Sequence, residues 1–190
     1  DTIYMLAFLG GEFQYVKEQA MKVEAALGWS FTFMKCGLSA FLLLLLSSDE
    51  LQPGCRKMCG RVASAVNFDK EEYQRWSGRQ NDLSSEEWFW ECFKKWKENV
   101  EISETQRQDY LQWIEKLIKK RVDGIMEANR RNYYGECASY IAALGEVLES
   151  QGQQGAKQRI LLDYKEMYSR RRAFHEELRK YGMPDTRKGR

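Results

Sequence analysis

Apolar positions along this chain recur at intervals of three and four residues, the period of a helix that buries one face. Between Glu12 and Leu27 they are Phe13, Val16, Ala20, Val23 and Leu27, with Gly28 placed as a C-terminal cap. This predicts one amphipathic helix after a short apolar segment that Gly10-Gly11 ends. Phe31 to Leu46 is denser and reads as a helix covered on all sides by others; Lys35 interrupts it, and it falls short of the ~20 residues a membrane span needs. Ser47-Ser48-Asp49 and Gln52-Pro53-Gly54 then break the pattern before a third helix over Cys55 to Val66, and Asp69-x-x-Glu72 marks a fourth start.

The second half carries sharper start signals. Ser84 precedes Glu87 by three residues and Ser103 precedes Gln106 by three, so each pair can satisfy the other's free backbone donor at a helix N-terminus. After Ser103, Tyr110, Ile114, Leu117, Ile118, Val122, Ile125 and Met126 form one stripe, while Lys116, Lys119, Lys120 and Arg121 point in other directions. A further helix from about Arg130 to Gln151 turns Tyr134, Ala138, Ile141, Ala142 and Val147 inward and stops at Gly152. Segments 156–168 and 170–181 complete the set, which Gly182 and Pro184 end.

No strand-like alternation interrupts this series. Composition agrees, since Val, Ile and Thr together are no more numerous than Leu alone. The expected fold is therefore all-α, a short α-solenoid or helical-repeat array of about eight or nine antiparallel helices. Residues 1–182 form one domain, which could divide into 1–78 and 84–182, and 183–190 make a basic tail. The chain opens Asp1-Thr2-Ile3-Tyr4 with neither an initiator Met nor a leader, as expected of a piece of a longer protein.

Charge adds an asymmetry that the total hides. Lys and Arg number 30 against 28 Asp and Glu, a net of +2. Residues 156–190 hold 11 of the bases and 5 of the acids, a net of +6 that leaves −4 for the rest. Three candidate binding sets follow. Arg170, Arg171 and Arg172 are consecutive and cannot share one helix face, so at least one guanidinium is expected to pack against an acid such as Glu166 or Glu176 while the others reach solvent. Lys119, Lys120 and Arg121 form a second set with Arg130 and Arg131, although several helical turns separate Lys116 from the last two. Trp88 and Trp90 form the third. They lie off the stripe Phe89, Cys92, Phe93, Trp96, Val100, and so mark either a second packed layer or an aromatic surface.

Catalytic patterns are missing. The single His175 has no Glu three residues before it, no Gly-rich phosphate loop is present, and no Ser or Cys sits in a nucleophile elbow. The five cysteines form no metal-ligand spacing and no paired framework, which points to a reducing cytoplasm and to no cofactor. The expectation is a non-catalytic interaction module with a protein partner and no membrane contact; the alternative is a nucleic-acid-associated region that binds the phosphate backbone through its basic end.

The stretch RRNYYGECASYIAALGEVLESQG followed by YKEMYSRRRAFHEELRKYG carries a Tyr-x-x-x-Ala helix at Tyr134 and Ala138 and then Arg171, Arg172, Ala173 and Phe174 at the start of a short helix. In this it resembles the C-terminal helical region of bacterial proteins that bear a SWIM-type zinc finger, and more loosely tetratricopeptide-like helix pairs. The resemblance implies a helical region associated with nucleic acid or protein partners. The finger's Cys-x-Cys and Cys-x-His pairs are absent from this chain, so no zinc ligand carries over.

Overall fold

The structure, a computed structural model, describes residues 2–23, 32–66, 70–78 and 82–184, and among them every regular element is helical. The α-helices are α1 (Thr2–Leu9), α2 (Phe13–Met21), α3 (Leu38–Leu46), α4 (Pro53–Ala65), α5 (Lys70–Ser77), α6 (Ser85–Lys97), α7 (Glu104–Glu127), α8 (Tyr134–Ser150), α9 (Ala156–Met167) and α10 (Arg172–Arg179). A π-helical turn, Phe33–Gly37, leads into α3, and a 3-10 turn, Arg131–Tyr133, leads into α8. The predicted cap at Gly28, the start at Asp69, the thiol of Cys36, the indole of Trp76 and the tail from 185 lie outside what is described.

Both expected capping boxes form. Ser84 Oγ accepts from the Glu87 amide while the Glu87 carboxylate accepts from the Ser84 amide, and Ser103 and Gln106 repeat the exchange at the start of α7. All nine residues of α3 are buried, Ser39 with its eight apolar neighbours. No helix among the described residues is long and apolar enough to cross a membrane.

Successive helices pack on one another, α3 with α4, α7 with α8, α8 with α9 and α9 with α10. Helix α8 also lies against α3 and α4 and against α10, so it joins α3 and α4 to the C-terminal helices. Its run from Cys137 to Val147 is buried without a break, a wider face than the single inward stripe expected for it. Two glycines set how near its neighbours come. Gly54 was expected as a breaker, yet α4 starts a residue earlier at Pro53, whose missing N–H is no loss in a first turn. A Cβ on Gly54 would lie 2.5 Å from the Ala143 amide nitrogen, and one on Gly145 would lie 2.4 Å from Lys157 Cα.

Between these approaches lies Glu146, 4% exposed. Its carboxylate accepts from the Gly54 amide at 3.0 Å and the Cys55 amide at 2.8 Å, and pairs with Lys157 Nζ at 2.7 Å. A side chain of α8 thereby caps α4, which has no side-chain cap of its own, and ties α9 to both. Farther along the core, Phe8, Phe33, Phe41, Phe93 and Trp96 pack in edge and tilted contacts with ring centroids 5.0–6.2 Å apart.

Candidate anion-binding site

The far end of α7 is closed by a tight reversal. The Arg130 amide donates to the Ile125 carbonyl and the Asn129 amide to the Met126 carbonyl, with Asn129 at φ 52°. This is a C-terminal cap of the Schellman kind, and Asn is among the few side chains that tolerate the left-handed position. The 3-10 turn that follows carries Arg131 into the space beside the link between α9 and α10.

Arg171 joins the two turns. Its guanidinium donates to the Met126 carbonyl at 2.8 Å and to Asn129 Oδ1 at 2.7 Å. It thus completes the C-terminus of α7, where a cation also opposes the helix dipole favourably. The acids expected as partners, Glu166 and Glu176, take no part in these bonds. Around this clamp, Tyr168 donates its hydroxyl to Asp123, and burial followed by that hydrogen bond raises its pKa. His175 is buried, and its Nε2 donates to the Tyr168 carbonyl at 3.0 Å. The Phe174 ring meets those of Tyr134 and Tyr168 edge-on, at 5.5 and 6.0 Å.

Two hollows of about 410 Å³ each open here and share Arg131. One is lined by Arg131, Tyr134, Arg170, Arg171, Arg172, Ala173 and Glu176. The other is lined by Asn129, Arg130, Arg131, Asn132 and Tyr133. Sequence separated Arg131 from the triplet by nearly forty positions; the fold places them around one opening. Arg131, Arg170 and Arg172 are exposed and make no ion pair among the described residues. Tyr134 is 2% exposed and its hydroxyl has no hydrogen-bond partner. Helix α10 begins at Arg172 without a side-chain cap, so the amides of Arg172 and Ala173 have no intrahelical acceptor.

The remaining expected residues fall elsewhere. Arg121 was grouped with Lys119 and Lys120 on an outer face, but it is 7% exposed and bound to Glu136 through Nε and Nη2. The period that placed it outside assumed one neighbour for α7, whereas α8 brings an acid to its flank. Lys119 pairs with Asp123 at 2.6 Å, and Lys116 and Lys120 are exposed two to three turns back along α7, roughly 10–16 Å from its end. Arg130 is exposed beside Arg131. Trp90 is buried rather than on an aromatic surface, its Nε1 donating to the Asp49 carbonyl at 3.1 Å and its ring stacked on Phe93 of the same helix. Trp88 is half-buried.

One basic set escaped the sequence reading. Arg56, Lys57 and Arg61 on α4 line a wider groove of about 1170 Å³ floored by Phe33, Phe41 and Leu51. Arg61 faces Glu136 at 3.6 Å and its guanidinium lies over the Tyr140 ring. The i, i+1, i+5 spacing was the available signal. Comparison with known protein families, curated proteins and solved structures finds no significant match.

Proposed function

We propose that this chain is a non-catalytic helical interaction module that holds an anionic partner at the arginine end formed by α7, α8 and α10. The observation that carries the reading is the convergence of Arg131, Arg170 and Arg172 on one hollow, with Glu176 its only acidic lining residue. Guanidinium groups suit carboxylate and phosphate because their planar forks donate in pairs, and they remain charged at any working pH. Arg171 and Arg121 serve the fold that presents the others: their donors are turned inward. The exposed guanidinium groups of Arg130, Arg131, Arg170 and Arg172 make this end locally basic, which draws an approaching anion to it.

Retention on immobilised heparin, a polyanion without bases or peptide, tests the reading. The wild-type chain should be held at low salt, and the triple variant Arg131→Gln, Arg170→Gln, Arg172→Gln should elute at clearly lower salt, since each neutralised charge contributes to the salt dependence. All three positions are on the surface, so the fold should be unaffected. No retention of the wild type, or equal retention of the variant, would overturn the proposal.

A further inference from the structure

The two hollows differ in chemistry, and the difference identifies the anion. The first offers three unpaired guanidinium groups, the two free amides of the α10 N-terminus and a buried phenol hydroxyl without a partner. Each of these groups can donate to an oxyanion, and Glu176 is the one acidic residue beside them. Its neighbour is lined by Asn129, Arg130, Arg131, Asn132 and Tyr133, so two amide-bearing residues and an aromatic one stand beside the arginines. Asn129 gives its carbonyl oxygen to Arg171, which leaves its NH2 as a donor, while Asn132 is exposed and offers both a donor and an acceptor. An aromatic ring beside amide groups is how an unpaired base is held, by stacking and by its hydrogen-bonding edge. Arg131 belongs to both hollows, so a phosphate in one and a base in the other would be joined across it.

We infer that this end seats a nucleotide of a single-stranded nucleic acid, with the phosphate among Arg131, Arg170 and Arg172 and the base against Tyr133 and Asn132. The inference rests on the anion-binding reading above and narrows it. A phosphorylated peptide would engage the first hollow, and competition separates it from a single strand. A duplex has no unpaired base to place in it.

The experiment is fluorescence anisotropy at one fixed salt concentration with a labelled single strand of about 10 nucleotides, within the length such surfaces cover. A duplex of the same sequence and a phosphoserine peptide compete, and heparin retention runs in parallel. The single strand should bind about tenfold more tightly than the duplex or the peptide. Asn132→Ala and Tyr133→Ala should each weaken single-strand binding about fivefold or more, the range of one lost base contact, and leave heparin retention unchanged. Tyr133 is half-buried and its variant could misfold; Asn132 is exposed, and its variant alone decides the point. Duplex or phosphopeptide bound as tightly as the single strand, or an Asn132→Ala variant with unchanged affinity, would overturn the inference while heparin retention still upheld the anion site. Failure to retain heparin as well would remove both.

Discussion

A carboxylate inside a protein needs partners, and Glu146 has three. Two backbone amides of α4 and the ammonium of Lys157 surround it, so its charge is compensated within hydrogen-bonding distance. Removal of the carboxylate would leave Lys157 without its buried partner and the first turn of α4 uncapped. Glu146→Ala should therefore lower the unfolding free energy by about 3–5 kcal/mol, the range for breaking a buried ion pair on one side. Glu146→Gln, which keeps an acceptor for an amide, should cost less. Urea denaturation with an unchanged m-value measures both; a loss under about 1 kcal/mol for the alanine variant would show that the carboxylate does not hold the three helices together. Nothing in the local pattern around Glu146 distinguishes it from Glu149, which is exposed on the next turn, because two of its three partners lie about ninety residues away on α4.

Helix starts were legible where a short-range device writes them. Ser84 with Glu87 and Ser103 with Gln106 act within four residues, and both helices begin where those pairs stand. Glycines were less legible, because a glycine that permits a turn and one that permits contact look alike in one dimension. Gly152 ends α8 as expected, at φ 90°, whereas Gly54 and Gly145 lie within helices and serve close packing. The distinction has a measurable sign. In an exposed helix, Gly→Ala stabilises by roughly 1 kcal/mol through backbone entropy. Gly145→Ala should do the reverse, since the new methyl would lie 2.4 Å from Lys157 Cα and α9 would have to shift away from α8. A loss of about 1–3 kcal/mol is expected from such overpacking, read from thermal or urea unfolding. A stabilised variant would mean that α9 yields freely and that the α8–α9 contact contributes little.

At the scale of the whole molecule, the segregation of charge was visible in the sequence, but the composition of the arginine end was not. That end depends on Arg171 reaching back to Met126 and Asn129, a bond across more than forty residues that no periodicity encodes. Burial has a second consequence at this scale, because the core holds weak acids in their neutral form. Burial raises the Cys55, Cys59, Tyr110, Tyr164 and Tyr168 pKa values, and the Cys59 thiol is pushed up from 9.0 to about 12. Nearby carboxylates act in the same direction, Glu146 on Cys55, Glu86 on Cys59 and Asp123 on both Tyr164 and Tyr168. Each group stays protonated in the fold at a pH where the unfolded chain has released its proton, so unfolding frees protons and alkali favours it. The stability these groups protect is complete below pH 9 and is lost as pH rises towards 12, with Cys59 contributing across that whole window. The melting temperature should be level from pH 7 to 8.5 and then fall steadily to pH 11, as read by circular dichroism at 222 nm. In a Cys55→Ala, Cys59→Ala variant the fall should begin about one pH unit later, where the tyrosines take over. A melting temperature that holds through pH 10.5 in the wild type would mean that the thiols ionise as readily in the fold as in the unfolded chain, and that their enclosure by α4, α6 and α8 does not hold them neutral.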